Sequence, residues 1–216
     1  MAAVAMDQGP PAGLTIMESL PQKFDRLGYL ILRSAATEGL VNSLQRYMLK
    51  FAAESEMREI KEARDGQVPG AISCYGDPVI ERLLEGLVPD IEQVTGRRLY
   101  PTYGYFRIYK NGDVLRRHRD RPACEFTVSL CIGYQGAANW PIYVQGFEGV
   151  CAADLAPGDG LIFKGLECDH WRQPFAGVSA SMAFLHYVDR SGPHSEWRFD
   201  KRLDLHRVEL EARNED

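Results

Sequence analysis

The sequence predicts an α+β fold in which helices come first and a strand-rich half follows. Before about residue 97, apolar residues recur at three- and four-residue intervals, the period of helices that bury one face. After that point, short apolar or alternating runs are separated by turn signals, as in strands. Helices followed by many short strands are typical of an α+β chain whose second half is an antiparallel barrel or jelly roll.

Chain length and composition favour one domain, because 216 residues with a hydrophobic content of 45% can bury a sizeable core. Residues 1–20 are rich in Ala, Gly and Pro and predict a disordered segment. We therefore assign residues 21–216 to a single domain. Its expected parts are the helical support at 21–96, the strand-rich core at 97–190 and a polar extension at 191–216.

Charge and cysteine usage limit the environment of the protein. The net charge of -5 disfavours general binding to nucleic acid or to an anionic membrane. Five cysteines without C-x-x-C spacing disfavour a disulfide framework and a structural zinc site. The first residues show no secretory pattern, and no apolar run reaches the roughly 18 residues of a membrane span. We therefore expect a cytoplasmic protein.

The first predicted elements are a strand and a helix. Residues 24–32 have the turn and apolar run of a short strand, and Thr37 is a suitable N-cap for the helix that follows. The apolar face of that helix carries Leu40, Leu44, Met48 and Phe51.

A second helix is predicted after a charged stretch. Residues 54–68 suggest a helix end and a loop, with a turn at Asp65-Gly66. Asp77 then caps a helix that has Pro78 at its first position and ends at Thr95-Gly96, with a weak point at Val88-Pro89. Both helices are predicted to pack against a sheet.

The strands follow in the second half. They are predicted at residues 103–109, 124–134, 140–144, 160–163, 171–175 and 179–188, with turns between them. Gly192-Pro193 should end the sheet, so His194 and His206 are not expected to bind metal.

Three side chains suggest an iron site. Alternate residues of a strand point to the same face, so His118 and Asp120 project toward one point. His170 supplies a third ligand if the chain returns as a neighbouring strand. Two imidazoles and one carboxylate leave coordination positions open for substrate and oxygen, the arrangement found in non-haem Fe(II) oxygenases.

Two longer segments carry a family resemblance. The passage from Tyr109 to Asp120 is a strand ending in Tyr, a turn at Asn111-Gly112 and then H-x-D. Residues 156–163 read Ala-Pro-Gly-Asp-Gly-Leu-Ile-Phe, with His170 after them. In order and spacing, these segments resemble the Fe(II)/2-oxoglutarate-dependent oxygenases, particularly the prolyl-4-hydroxylase-like branch and its small bacterial members.

The resemblance implies a fold and an activity. The fold is a double-stranded β-helix, a jelly-roll, cupin-like core with N-terminal support helices. Fe(II) is bound by His118, Asp120 and His170, and 2-oxoglutarate is the cosubstrate. The expected reaction is hydroxylation of an unactivated C–H bond, with conversion of 2-oxoglutarate to succinate and carbon dioxide. The short chain and the arginines around His118 indicate a small, carboxylate-bearing substrate.

The chain departs from the family at one position. Relatives hold the far carboxylate of 2-oxoglutarate with Arg or Lys about nine or ten residues after the second His, where this chain has Ser179. A buried carboxylate needs a cation or several donors. Arg172 is the first candidate, because it shares a strand face with His170. Lys164 and Arg107 are the alternatives.

Other residues are assigned to the cosubstrate or to the substrate. By the resemblance, Tyr109 donates to the cosubstrate, and Ser181 corresponds to the family's Ser near the anchor. Arg107, Arg117 and Trp140 are candidate substrate-binding residues. The arginines at positions 116, 117, 119 and 121 either attract an anionic substrate or balance acids such as Asp169.

Two other functions remain open at this point. The lack of a basic residue at Ser179 suggests a 2-oxoglutarate-independent, cupin-like metalloenzyme. A non-catalytic barrel that binds an anion or a protein partner through its arginines is the third hypothesis. His186 is predicted to be a buried core histidine, or else a neighbour of the metal ligands or of the substrate.

Overall fold

A computed structural model describes residues 18–57, 66–136 and 139–205. The predictions for the N-terminal segment up to residue 17, for the turn at Asp65 and for His206 lie outside these ranges. The helices are α1 (Leu20–Leu27), α2 (Glu38–Met57), α3 (Pro78–Gly86) and α4 (Val88–Thr95). The strands are β1 (Tyr29–Leu32), β2 (Ile72–Tyr75), β3 (Leu99–Lys110), β4 (Leu115–His118), β5 (Phe126–Gln135), β6 (Ile142–Gly146), β7 (Gly149–Ala153), β8 (Gly160–Lys164), β9 (His170–Arg172) and β10 (Ser179–Asp189).

The strands form two antiparallel sheets that face each other. The larger sheet has the order β1-β8-β5-β10-β3-β2, and the smaller has the order β4-β9-β6-β7. Sequential strands alternate between the two sheets over much of the core, which is the topology of a double-stranded β-helix. The predicted α+β class and jelly-roll core are therefore confirmed.

Each strand of the large sheet has two different faces. Tyr109, Phe163 and Met182 belong to the core between the sheets. Ile108 and Leu185 belong to a second core, against the helices. Because side chains alternate along a strand, residue parity decides which side chains can reach a site inside the barrel.

The predicted strand at 24–32 was only partly right. Its first half is the end of α1, because Ser19 and Gln22 form a reciprocal capping box. Gly28 then ends the helix with φ +81, and a Cβ at this position would lie 2.9 Å from Cys168 Sγ. The strand therefore starts only at Tyr29.

The second predicted helix is two helices. Asp77 and Pro78 begin α3 as expected, but the helix breaks at Leu87, and α4 (Val88–Thr95) follows with Gly96 as its C-cap. Pro89 explains the break, because proline has no N–H to donate to the preceding turn. Gly96 closes α4 in the left-handed conformation, at φ +68.

Two strands, β2 and β7, were not predicted, and β4 was expected only as an extended segment through His118 and Asp120, whereas it ends at His118. β4 has the sequence Leu-Arg-Arg-His and β7 has Gly-Val-Cys-Ala-Ala, so neither shows clear alternation of apolar and polar residues. Their partners on neighbouring strands hold them in the sheets. Within the described ranges, no helix has the length and apolar character needed to cross a bilayer.

The Asp77 cap is expected to matter for stability. Its Oδ1 accepts from Val79 N and Ile80 N, both at 3.0 Å, and its other oxygen accepts from the Tyr47 hydroxyl. We expect Asp77→Ala to lower the free energy of unfolding by about 2 kcal/mol, through loss of the cap and of the buried bond. Asp77→Asn, which keeps an N-capping oxygen, should lose less. Urea denaturation measures both, and an unchanged D77A midpoint contradicts this account.

Candidate metal centre

The structure brings the three predicted metal ligands together. His118 ends β4 and is paired in register with His170, the first residue of β9. Asp120 lies just beyond β4, and its Oδ1 is 3.7 Å from His118 Nε2 and 3.5 Å from His170 Nε2. One ligand atom from each residue lies within 4.8 Å of the others, so a single ion can contact all three.

Hydrogen bonds at the far nitrogens determine which atoms of the imidazoles are free. His118 Nδ1 is 2.8 Å from Arg116 O, and His170 Nδ1 is 3.2 Å from Cys168 O. A carbonyl oxygen only accepts, so Nδ1 carries the proton in both rings. Each Nε2 therefore presents a lone pair toward Asp120, as a metal-binding histidine requires.

Burial keeps His170 neutral. It lowers the pKa of the His170 imidazole, since desolvation penalises the charged form; the nearby Asp120 carboxylate opposes this effect. A neutral imidazole is the form that binds a metal ion.

Asp120 is held by neighbours that the sequence did not reveal. Thr127 Oγ1 donates to Asp120 Oδ2 at 2.7 Å, and Asp120 N donates to Gly165 O at 2.9 Å. A Cβ at Gly165 would lie 2.2 Å from Cys124 O and 2.6 Å from Asp120 Oδ2. Only glycine fits beside the carboxylate.

The donor set fits a non-haem ferrous ion. Two neutral imidazole nitrogens and one carboxylate oxygen on one side of a site are the ligands of Fe(II) oxygenases, with the remaining positions open. The ligands also border an internal cavity. Its lining includes Gln67, Tyr105, Arg107, Leu115, His118, Asp120, Thr127, Ile142, Phe163, His170, Phe184 and His186.

A second group of possible ligands, Asp120, Cys124 and His186, fits a metal less well. Burial raises the pKa of the Cys124 thiol to about 12, and the Asp120 carboxylate adds to the rise. A protonated thiol is a poor ligand. One nitrogen of His186 also bonds Thr127.

Arg172 lies deep inside the barrel, only 1% exposed. Its guanidinium donates to Trp140 O at 2.6 Å and to Ser129 Oγ at 3.4 Å, and lies 3.6 Å from Met182 Sδ. Its Nε has no partner among the described residues, and none of their carboxylates forms an ion pair with it. A buried cation without a counter-ion is costly, so an anionic ligand would be stabilised here.

The position expected for the family's basic anchor does not face the barrel. Ser179 pairs with Lys110 and bonds Gln135 Oε1 at 2.9 Å, on the helix side of the sheet. The inward residues of β10 near this end are Ala180 and Met182. The Arg172 guanidinium reaches Met182 from the opposite sheet.

Ser181 is separated from the other residues assigned to the cosubstrate. It is paired with Ile108 and lies between the inward residues Ala180 and Met182, so it points toward the helices. Lys164 also lies outside the barrel, where its Nζ is 3.0 Å from Asp25 Oδ1 on α1. The side chains of both residues thus point away from the barrel interior that holds the metal ligands.

Tyr109 and Trp140 lie with Arg172 inside the barrel. The Tyr109 ring meets Trp140 edge-on at 4.7 Å, and the Arg172 guanidinium lies 4.8 Å from the Trp140 ring centre. Trp140 therefore lies beside Arg172, the first candidate for holding the far carboxylate of the cosubstrate. Arg107, which lines the metal cavity, donates to Tyr109 Oη at 2.8 Å and to Gln67 Oε1 at 2.9 Å.

Three of the four arginines near the metal ligands, Arg117, Arg119 and Arg121, are paired with acids. Arg117 Nε and Arg119 Nε donate to the two oxygens of Asp169 at 2.9 and 2.8 Å. Arg121 makes two bonds to Asp200. The pKa of Asp169 is lowered mainly by its bonds to Arg119 and Arg117. Charge balance, one of the two hypotheses for this cluster, matches these contacts.

Comparison with solved structures identifies the same architecture in iron- and 2-oxoglutarate-dependent enzymes. A Pseudomonas putida prolyl-4-hydroxylase is similar at a TM-score of 0.57 and 20% identity, over 80% of this chain and 98% of that one. HygX from Streptomyces hygroscopicus, with nickel, 2-oxoglutarate and hygromycin B bound, is similar at a TM-score of 0.57 and 16% identity, over 78% and 86%.

A third similar structure is a prolyl hydroxylase from Trichoplax adhaerens in complex with a hypoxia inducible factor peptide. Its TM-score is 0.62 at 13% identity, over 80% of this chain and 88% of that one. No protein-family model and no curated protein sequence matches the chain. At these identities the likeness establishes the double-stranded β-helix fold.

Metal binding can be measured directly. We expect one Mn(II) ion to bind per chain, and His170→Ala to weaken binding by more than the roughly 10- to 100-fold typical of residues that only support a ligand. His194→Ala is the matched control, since His194 lies in the C-terminal extension. Titration followed by electron paramagnetic resonance reports the free ion. Equal affinity of H170A and H194A would exclude the site.

Proposed function

We propose that the protein is an Fe(II)- and 2-oxoglutarate-dependent oxygenase that hydroxylates an unactivated C–H bond of a small molecule. The observation that carries the proposal is the convergence of His118, Asp120 and His170 with both Nε2 atoms free. When bound, iron and 2-oxoglutarate supply the oxidising chemistry, giving succinate and carbon dioxide while one atom of dioxygen enters the substrate.

The buried guanidinium supports 2-oxoglutarate as the cosubstrate. On β9 the inward residues His170 and Arg172 are two apart, so a metal ligand and a cation share one face. A dicarboxylate that reaches from the metal into the barrel would bring its far carboxylate to Arg172. The fork of guanidinium donors matches a carboxylate, and Tyr109 and Ser129 lie nearby to add hydrogen bonds.

This arrangement also supports 2-oxoglutarate binding without a basic residue at position 179. The side chain of residue 179 faces the helices, so a basic residue there would not reach the barrel interior in this chain. Arg172 supplies the charge from the other sheet. The lack of a basic residue at position 179 is therefore a weaker argument for a 2-oxoglutarate-independent enzyme.

Aromatic side chains indicate the direction from which a substrate approaches. Ring contacts of 4.9, 6.1 and 4.6 Å connect Tyr75 to Tyr103, Tyr103 to Tyr105 and Tyr105 to Phe184. Tyr75 is 51% exposed, whereas Tyr105 and Phe184 line the metal cavity. The row thus leads from the surface to the metal ligands.

The substrate is proposed to be a small molecule with an apolar face and an anionic group. The apolar face would pack on Tyr105 and Phe184, and the anionic group would lie near Arg107, whose guanidinium carbon is 5.5 Å from both ring centres. The similar HygX structure holds the small molecule hygromycin B. Arg117, bound to Asp169, is not part of this proposed site.

The proposed role of Arg172 predicts that its substitution weakens 2-oxoglutarate binding but does not lower the melting temperature of the ligand-free protein. Arg172→Met keeps much of the side-chain volume and removes the buried charge. We expect its binding free energy for 2-oxoglutarate to become less favourable by about 1.5–3 kcal/mol, the typical contribution of a bond to a charged group. In the absence of 2-oxoglutarate the same variant should melt at an equal or higher temperature, because the unpaired charge is gone.

Calorimetry and thermal melts of the Mn(II)-loaded protein measure both effects, with Arg98→Met as the control, since Arg98 is an exposed residue paired with Glu92. Succinate formation from 2-oxoglutarate under Fe(II) and oxygen then tests the activity itself. If the wild-type protein binds metal but not 2-oxoglutarate, the cupin-like alternative is correct. If it binds neither, the non-catalytic barrel is favoured.

A further inference from the structure

Two buried residues connect to the carboxylate of Asp120 in a chain of hydrogen bonds. Thr127 Oγ1 lies 2.7 Å from Asp120 Oδ2, and His186 Nδ1 lies 3.1 Å from the same hydroxyl oxygen. Thr127 is 2% exposed and His186 is 3% exposed. β10 and β5 place these two residues opposite each other in register.

The direction of each bond follows from the number of protons. A hydroxyl has one proton, and the shorter bond to an ionised carboxylate takes it, so Thr127 donates to Asp120. The Thr127 oxygen must then accept from His186, which places the single imidazole proton on Nδ1. Burial lowers the pKa of His186 to about 4, so the ring carries only that proton at neutral pH.

The state of the other nitrogen agrees with this direction. His186 Nε2 is buried and has no partner among the described residues, so none of them offers an acceptor that would hold a proton there. The ring is held between Tyr103 and Tyr105, at centroid distances of 4.5 and 5.7 Å. This packing opposes rotation of the imidazole and preserves the orientation of Nδ1.

We propose that Thr127 and His186 are positioning residues that make Asp120 bind the metal through Oδ1 alone. The inference rests on the metal centre of the proposed function. Oδ2 is occupied by the Thr127 proton, whereas Oδ1 is the oxygen that faces both His118 Nε2 and His170 Nε2. One-oxygen binding leaves a coordination position open that a two-oxygen carboxylate would fill.

Measurement of metal affinity tests the role of the Thr127 hydroxyl without any need for catalytic turnover. We expect Thr127→Val, which has the same shape without the hydroxyl, to weaken Mn(II) binding by about 10- to 100-fold, the range for residues that support a ligand. Thr127→Ser restores the hydroxyl and should restore affinity. Thr102→Val is the matched control, because Thr102 is also buried in the barrel strands but donates to Ala123 O at 2.8 Å. Equal affinity of T127V and T102V overturns the proposal.

Nitrogen NMR of the Zn(II)-loaded, ¹⁵N-histidine-labelled protein tests whether His186 Nδ1 carries the proton that is donated to Thr127. The expected spectrum shows His186 neutral with its proton on Nδ1, and T127V should shift this signal. A neutral ring with its proton on Nε2 contradicts the proposed direction, because Nδ1 could then not donate to Thr127. The spectrum gives an answer even if T127V folds poorly, since it uses the wild-type protein.

Substitution of His186 provides a further check. His186→Asn places an amide N–H near the position of Nδ1 and should bind Mn(II) within a few-fold of wild type, whereas His186→Leu should bind more weakly. If wild-type protein binds Mn(II) and forms succinate but T127V and H186L bind Mn(II) normally, only this inference fails. If wild-type protein binds no metal, the proposed function fails with it.

Discussion

The antiparallel pairing of β4 with β9 is the constraint on which the site depends, because it places His118 opposite His170. Both strands are short, and few backbone bonds hold them together. Asp169 adds a connection, since it precedes His170 and binds Arg117 and Arg119 on either side of His118. Arginines that look like a substrate-attracting patch in the sequence therefore join the two ligand-bearing segments.

The alternation of side chains along β9 determines which of its residues face the barrel interior. His170 and Arg172 point inward from one strand, so a metal ligand and a buried cation are held at a fixed separation of two residues, about 7 Å. On the other sheet, Tyr109 and Met182 face the same interior. A short dicarboxylate spans this kind of distance, and the two groups that would bind its ends are placed by backbone pairing and not by flexible loops.

Local patterns in the sequence were enough to predict much of the fold and the metal ligands. The alternation of His118 and Asp120, the Asp77 cap and the turn signals between strands are short-range properties, and the sheet-rich half was predicted from them. The direction of the Ser179 side chain could not be predicted from the sequence. A count of residues from His170 crosses a loop, and no local pattern defines the path of that loop. Thr127 and His186 could not be connected either, since their contact depends on the register of β5 with β10.

Two buried side-chain atoms without hydrogen-bond partners indicate which ligand groups the barrel interior can bind. Arg172 Nε is a donor, and its guanidinium lies against Met182. His186 Nε2 is an acceptor on β10, four residues beyond Met182. In the described residues nothing satisfies either atom, and leaving both unpaired is costly. An anion near Arg172 and a hydrogen-bond donor, from water or substrate, near His186 would relieve that cost, so the two buried atoms favour ligand groups of opposite hydrogen-bonding character.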